Sequence, residues 1–149
     1  MTDTPMRDYA GTTPMPDMGP AAWTTPRPLA ESRVAIVTTA ALHVIGDEGF
    51  ENDDTSFRVL PRERRDLALG HWSPNFDRGG FAADLDVVYP IDRLEELAAG
   101  GVIGSVAPRH LAFAGNQEDT LTGIRLDSGP RAAALLLEDA VDVVLLTPV

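Results

Sequence analysis

Three histidines are the most versatile chemical groups in this chain, because an imidazole can act as an acid, a base or a metal ligand near neutral pH. His71 opens a polar loop sequence, and His43 and His110 each follow an apolar, β-forming segment. If those two segments are parallel strands, His43 and His110 lie near strand carboxyl ends, where α/β proteins form their sites. For each histidine, the competing interpretation is a side chain that only caps or bridges loop backbone.

Asp77 and Arg78 stand directly before a Gly-Gly pair. This pattern fits a simple turn, which the composition favours, or a loop whose guanidinium binds a substrate carboxylate through two parallel hydrogen bonds. Together with the histidines, Asp77 could also offer ligands to a metal ion. However, no two histidines have a local ligand spacing such as His-x-x-x-His, so we expect no metal site.

The composition excludes several kinds of chemistry within these 149 residues. The chain has no cysteine, and all 12 basic residues are arginine. Cysteine-ligated zinc, thiol catalysis, Schiff bases on lysine and the lysine of a phosphate-binding loop are therefore absent from it. A net charge of −11 argues against nucleic acid and anionic membranes as partners. Neither a membrane-spanning stretch nor a signal peptide is recognisable, which predicts a cytoplasmic protein.

Alternating helical and apolar β-forming segments predict how these side chains are positioned. Residues 34–41 and 141–149 are apolar runs typical of strands buried on both faces of a parallel sheet. A helix is predicted from Asp92, with Glu95 completing a capping box, to the glycines at 100 and 101. A second helix opens at Gly129-Pro130. Short strands are predicted at 56–60, 67–72, 86–89 and 102–106, and loops at 43–55, 73–83 and 111–125.

This order predicts an α/β fold with three layers, in which helices cover both faces of a doubly wound, mostly parallel sheet. Residues 1–30 hold half of the 12 prolines and all four methionines, and we interpret them as a largely disordered N-terminal arm. Residues 31–149 form the α/β domain. Because 141–149 reads as a central strand with nothing after it, the domain is expected to lack its C-terminal portion.

Several short motifs in a fixed order resemble one protein family, the selenoprotein B type subunit of glycine/betaine/sarcosine reductase and D-proline reductase. The resemblance covers about Pro20 to Val149. Its motifs are Arg33-Val-Ala-Ile-Val-Thr-Thr-Ala-Ala-Leu-His43, Ser73-Pro-Asn-Phe-Asp-Arg78, Asp86-Val-Val-Tyr-Pro-Ile-Asp-Arg-Leu94, Gly101-Val-Ile-Gly-Ser-Val-Ala-Pro-Arg-His110 and the final strand from Val141 to Pro148.

The resemblance implies that the redox residue is a selenocysteine or cysteine immediately after this last strand, that is, just beyond Val149. Its selenolate or thiolate would be the attacking group in reductive cleavage of a carbon–nitrogen bond, and a dithiol partner would restore it. No cofactor is then expected in this chain, and selenocysteine is expected in the full-length protein. Because selenocysteine is encoded by a codon ordinarily read as stop, we expect that Val149 precedes a selenocysteine misread as a terminator.

Three functional hypotheses follow. In the first, the chain is the N-terminal part of an amino-acid reductase of this type, inactive alone, and its partners are a small-molecule substrate with a second reductase subunit or a thiol or dithiol reductant. Substrate contacts are then expected on loops facing the end of the last strand, from His43, His71, Asp77, Arg78 and His110, with Arg78 recognising a carboxylate and a histidine delivering a proton. In the second, the chain is a non-catalytic module that docks a redox partner through its exposed strand edge. A histidine-based metal hydrolase is the third and weakest.

Overall fold

A five-stranded, mostly parallel sheet organises the protein in a computed structural model, which describes residues 8, 12, 17–20, 24–71, 78–115, 117 and 120–149. The strands and helices, in chain order, are β1 (Arg33–Thr38), β2 (Leu42–Val44), β3 (Phe57–Pro61), β4 (Leu67–Leu69), α1 (Gly79–Ala83), α2 (Ile91–Ala99), β5 (Ser105–Val106), β6 (Arg109–Phe113), α3 (Gly129–Glu138) and β7 (Val143–Thr147). A π-helical turn, Ile124–Ser128, leads into α3.

Strand β1 lies at the centre of the sheet. It pairs in parallel with β7 on one side and with β5 followed by β6 on the other, and β3 runs antiparallel to β6 at the outer edge. The register aligns Thr38 of β1 with both Ala112 of β6 and Thr147 of β7. These three parallel strands therefore end level with one another, as the predicted α/β fold requires.

The two faces of the sheet carry separate apolar cores, because successive side chains of a strand point to opposite faces. Val34 and Ile36 pack in one core with Ile91 and Leu94 of α2. Val37 packs in the other with Ala132 of α3. Helices cover both faces, so the prediction of a three-layer α/β architecture is confirmed.

A second, two-stranded sheet lies beside the main one. Strand β2 pairs antiparallel with β4, with Leu42 opposite Leu69 and Val44 opposite Leu67. The loop predicted at 43–55 therefore begins inside a strand, and the strand predicted to reach residue 72 ends at Leu69. His43 lies in β2 of this small sheet, and His71 follows two residues after the end of β4.

Three local predictions are corrected by side-chain and backbone contacts. Helix α2 begins at Ile91, and Asp92 binds Arg65 instead of capping the helix. The strand predicted at 86–89 is largely a short 3-10 turn, because the Asp84 carboxylate accepts the Asp86 N–H at 2.9 Å. The strand predicted at 102–106 is only two residues long, since Gly104 donates to the Leu29 and Ser32 carbonyls outside the sheet.

The loop predicted at 111–125 contains more regular structure than expected. Strand β6 continues to Phe113, and helical structure begins before Ile124. Residues 116, 118 and 119 within that span lie outside the described residues.

The last strand is an edge strand and not the doubly buried strand that its composition predicted. Among the described residues only β1 pairs with β7, so its other edge is open. Leu146 is 68% exposed, and Val144 and Leu145 are also exposed. The burial of a strand depends on its neighbouring strands as well as on its own composition. Among the described residues, β7 has a neighbouring strand along one edge only.

Most of the proposed N-terminal arm, including Trp23, falls outside the described residues, and so does the Asp77 loop at 72–77. Residues Leu29–Glu31 form a 3-10 turn that leads into β1. None of the described helices combines the length and the apolar character that crossing a membrane requires.

Candidate functional site

The candidate site lies where β1, β6 and β7 end together. After Thr38, Phe113 and Thr147, the three strands leave the sheet at the same edge. Ligand-binding groups in parallel sheets gather at such an edge because the loops that follow the strands converge there. The residues just past the strands, Thr39 and Gly115 among them, therefore form the floor of the site.

Thr39 holds the last described residue against this floor. The Val149 N–H donates a 2.8 Å hydrogen bond to Thr39 Oγ1. The Thr39 N–H in turn donates to the Thr147 carbonyl at 3.3 Å. These contacts set the direction in which the chain leaves β7.

Three segments of the chain, containing Thr39, His71 and Val149, converge on Gly115. A Cβ atom placed on Gly115 would lie 2.8 Å from His71 Nε2 and 3.0 Å from the carbonyl oxygens of both Thr39 and Val149. Real carbon atoms do not approach so closely without displacing a neighbour. The imidazole of His71 and the backbone of Val149 are thus both within contact distance of one glycine.

His71 is buried at this edge, and its pKa is lowered from the ordinary histidine value by that burial and then by the positive charge of Arg78. The imidazole is therefore neutral at pH 7, the form that can accept a proton or pass one on. Arg78 Nη2 donates to the His71 carbonyl at 2.8 Å, which ties the start of α1 to the site. The structure thus brings together two of the five residues predicted for the site.

His43 packs beside this pair instead of joining it. Its ring is within 3.5 Å of the Cβ position of Gly70 and within 3.4 Å of that of Gly49, and it meets Phe50 edge-on at 6.5 Å between centroids. His43 therefore lies against Gly70, the residue that precedes His71.

His110 lies within β6 and is fully buried, not in a loop as predicted. Its Nδ1 accepts the Ile36 N–H at 2.9 Å, so Nε2 carries the proton. Burial lowers the pKa of His110 to about 4. The Pro108 carbonyl, between β5 and β6, accepts the Arg62 N–H at 3.0 Å, and the imidazole serves as the acceptor for the Ile36 N–H of β1.

The Tyr89 ring meets that of His110 edge-on at 5.5 Å. Within the described part of the chain, neither His110 Nε2 nor the Tyr89 hydroxyl has a hydrogen-bond partner. Because His110 is level with Ile36, two residues before the end of β1, its contacts are those of a structural residue.

A partly open pocket that the sequence did not predict lies beside Gly115. It has a volume of about 320 Å³, at the small end of the range for ligand pockets. Its lining is mostly apolar, with Thr39 and Gln117 as the polar residues. It is lined by Thr39, Phe113, Ala114, Gly115, Gln117, Leu121 and Ile124. The sequence signal that could have found it is the glycine directly after the apolar segment Leu-Ala-Phe-Ala.

The acidic stretch 47–54 is organised by an arginine. Arg58 binds Asp54 at 3.0 Å and donates to the carbonyls of Glu48 and Gly49. Across the described ranges, no group of three or more histidine or acidic side chains is arranged to hold a metal ion.

Comparison with known proteins identifies a relative of this chain. The chain is 34% identical over 137 residues to D-proline reductase subunit gamma of Acetoanaerobium sticklandii. The chain is thus related to a reductase subunit. The alignment covers 89% of this chain and 55% of the relative, so the chain spans about half the length of the relative it matches. No protein-family model and no solved structure matches the chain.

The alignment covers 89% of the 149 residues, so most of the strands and loops around Gly115 fall within it. This relationship agrees with the amino-acid reductase resemblance found in the sequence motifs.

Proposed function

We propose that this chain is the N-terminal scaffold of a subunit of a selenocysteine- or cysteine-dependent amino-acid reductase, with the redox residue directly after Val149. The observation that carries the proposal is the convergence of His71, Thr39 and Gly115 on Val149. A residue that follows Val149 would emerge next to a neutral imidazole and at the carboxyl end of three parallel strands. The similarity to a D-proline reductase subunit supports the same reaction class.

The net reaction fits this arrangement. Reductive cleavage adds two electrons and two protons across a carbon–nitrogen bond, giving a C–H and an N–H bond, while a dithiol gives up two electrons and two protons and becomes a disulfide. When present, the selenolate or thiolate would supply the nucleophile. In this proposal the neutral imidazole of His71 takes up one of the protons that the dithiol gives up and passes it to the departing nitrogen, a role that contributes roughly 10²–10⁴-fold to rate.

Arg78 is assigned to the substrate carboxylate. One guanidinium nitrogen donates to the His71 carbonyl. In the proposed complex other N–H groups of Arg78 form the paired hydrogen bonds that carboxylates favour. Asp77 precedes it in the chain and is retained in the proposed site by sequence alone. The substrate is proposed to be an amino acid or related compound of the glycine, betaine, sarcosine or D-proline type.

Activity at native length tests this proposal. The protein is expressed with selenocysteine decoding, and the residue after Val149 is identified by mass spectrometry. Reductive cleavage of each of the four substrate types is measured with dithiothreitol as reductant, as amine release from the acyclic substrates and as formation of the ring-opened amino acid from D-proline. His71→Ala and Arg78→Ala are each expected to reduce kcat/KM by about 100-fold. Arg64→Ala, which removes an exposed arginine paired with Asp66, is the matched control. Wild-type protein without activity on any of the four would overturn the proposal.

The nucleotide sequence provides an independent test of the position of the redox residue. The codon after Val149 is expected to be UGA, followed by an open frame with cysteine. A different stop codon, or a native species near 16 kDa in the host, would contradict the proposed continuation.

The open edge of β7 favours a second candidate function, docking of a partner that itself supplies the redox residue. Exposed Leu145 and Leu146 on an unpaired edge are suited to strand addition by another chain. Purification of the native protein with a stoichiometric thiol-containing subunit, and without a residue after Val149, would favour this candidate over the first.

A further inference from the structure

One flank of helix α3 is apolar and uncovered. Pro130, Ala133 and Leu137 follow the i, i+3, i+7 spacing that places side chains along one stripe of a helix. Pro130 and Ala133 are exposed, and Leu137 is 75% exposed. A helix flank that faces water normally carries charged side chains, and this stripe has none. The flank therefore has the composition of a surface that packs against another element.

The opposite flank of α3 carries the charges of the helix. Arg131 and Glu138 are the two charged residues of α3, and both line a pocket with Phe57 of β3. Strand β3 lies at the outer edge of the sheet, beyond β6, whereas β7 lies on the other side of β1. Because one flank of the helix faces β3, the apolar stripe is directed toward β7.

Strand β7 continues this apolar surface. Its register aligns Val144 with Ala35 and Leu146 with Val37, and aligned residues of neighbouring strands point to the same face of a sheet. Val37 packs in the core beneath α3, so Val144 and Leu146 lie on the α3 face. Both are exposed, so α3 leaves β7 uncovered on this face. The combined apolar surface, called the β7–α3 surface below, consists of Pro130, Ala133, Leu137, Val144 and Leu146.

We propose that the β7–α3 surface is the docking site for a helix of the segment that follows Val149, and that this helix leads to a strand that pairs in parallel with the open edge of β7. The inference rests on the proposed function, in which the chain continues beyond Val149. A parallel strand is reached through a crossover of about a dozen residues or more, which is usually helical. Nearly half of the relative's length lies outside the alignment, which is ample for such a crossover.

The hand of the crossover selects the face of the sheet. Strands β6 and β7 are both parallel to β1, and α3 connects them across it. Crossovers between parallel strands are right-handed in about 98% of cases. A crossover from β7 to a strand beyond its open edge continues in the same direction across the sheet as the one through α3. Its helix therefore lies on the α3 face, where the apolar surface is exposed.

Hydroxyl-radical footprinting of the native-length protein, expressed with selenocysteine decoding, measures whether the surface is covered. Leu126, Leu137 and Leu146 are 78%, 75% and 68% exposed in the 149-residue structure, so without a docked segment they should be labelled about equally. With the helix docked, labelling of Leu137 and Leu146 is expected to fall about fivefold below that of Leu126, because packed interfaces exclude water.

Two results of the footprinting would overturn the proposal. Equal labelling of the three leucines would mean that the surface is open at native length. Leu145 shares the α2 face with Ile36 and is 37% exposed. Protection of Leu145, with Leu137 and Leu146 still labelled, would place the helix on the opposite face of the sheet.

Dilution of the native-length protein separates the possible occupants. A helix of the same chain protects Leu137 and Leu146 at any protein concentration, whereas a second copy or a separate subunit dissociates by mass action. Protection that disappears on dilution would assign the surface to a second copy. Protection that requires a co-purifying subunit would assign it to that partner. Either result would overturn the proposal.

Ala133→Glu and Ala134→Glu form a matched pair of variants in one helix. Both alanines are exposed in the 149-residue structure, but Ala134 lines the pocket with Phe57 on the other flank. In the native-length protein, Ala133→Glu is expected to raise the unfolding equilibrium constant about 30-fold, because it buries an unpaired charge under the docked helix. Ala134→Glu should change that constant by less than about threefold. Equal effects of the two variants would contradict the docking.

Docking and activity fail independently. If Leu137 and Leu146 are protected within the chain but the native-length protein reduces no substrate, the proposed function is wrong and the docking surface remains. If the protein is an active reductase and both leucines stay fully labelled, the docking is wrong and the proposed function remains. A native chain that ends at Val149 would overturn both.

Discussion

The backbone N–H of Val149 donates a 2.8 Å hydrogen bond to the hydroxyl of Thr39, which joins the ends of two neighbouring parallel strands. This bond sets the position from which any following residue would approach His71 and Gly115. Thr39 is thus a positioning residue in the proposed reductase.

Replacing Thr39 by valine removes the acceptor and keeps the shape of the side chain. The Val149 amide is expected to exchange with solvent faster, while the free energy of unfolding falls by only about 1 kcal/mol. Reductase activity at native length should fall by roughly 10- to 100-fold, because a displacement of about 1 Å near reacting atoms has effects of that size. Hydrogen exchange and steady-state kinetics measure the two effects, and Thr24→Val at an exposed position is the control. An unchanged kcat in Thr39→Val would contradict the positioning role.

Gly115→Ala forces a carbon atom into the space between His71 Nε2 and the carbonyls of Thr39 and Val149. The free energy of unfolding is expected to fall by about 1–3 kcal/mol, since a filled site accepts an added methyl only by moving its neighbours. Adding His71→Ala removes the nearest of the three contacts, so the double variant should lose less stability than the sum of the two single variants. Chemical denaturation measures this coupling.

A second glycine provides the comparison for that experiment. A Cβ on Gly80 meets Val87 at an ordinary 3.6 Å, and Gly80 lies in helix α1. Gly80→Ala should therefore be neutral or stabilising. If Gly115→Ala behaves in the same way, the convergence at Gly115 does not constrain the site.

The buried imidazole of His110 should make stability depend on pH. Its pKa in the folded protein is about 4, below the ordinary value of about 6.5, so the unfolded chain binds the proton more readily. The contribution of neutral His110 to the free energy of unfolding is fully present above pH 6.5 and is lost as the pH falls from 6.5 to 4. The shift corresponds to about 3 kcal/mol over that range.

His110→Asn isolates this contribution, because its side-chain oxygen can still accept the Ile36 N–H but does not titrate. The difference in unfolding free energy between wild type and variant is expected to shrink by about 3 kcal/mol between pH 6.5 and pH 4. Denaturant titrations at several pH values measure it, and His43→Asn at the half-buried histidine is the control. A constant difference across this range would mean that His110 is not the group responsible.

Local sequence patterns predicted the parts of the fold that depend on near neighbours. The apolar run that begins at Val34 and the glycines after α2 identified strand and helix positions, because each signal depends on contacts within a few residues. The approach of His71 to Gly115 joins positions 44 residues apart, and no local pattern encodes it.

The positions of His110 and β7 were mistaken for the same physical reason. His110 was predicted in a loop because it follows Pro108 and Arg109 at the end of an apparent strand. It lies instead within β6, where its ring accepts the Ile36 N–H of β1. The composition of β7 indicates burial, but its exposure depends on which segments lie beside it.

Leu146 provides a test of whether a segment after Val149 covers the open edge of β7. In the 149-residue chain this side chain is 68% exposed, so Leu146→Lys should change the free energy of unfolding by less than about 0.5 kcal/mol. A charge on an unpaired edge strand should also reduce self-association of that chain. In the native-length protein the same substitution would place a charge under the covering segment and is expected to cost more than about 2 kcal/mol.

Comparing the two lengths makes the prediction independent of the intrinsic effect of lysine in a strand. Leu126→Lys, at a site 78% exposed in the π-helical turn, should cost little at both lengths and is the matched control. Denaturant unfolding and sedimentation of the four variants measure stability and association. A small effect of Leu146→Lys at native length would leave the edge open there, and would favour docking of a separate partner over coverage by the same chain.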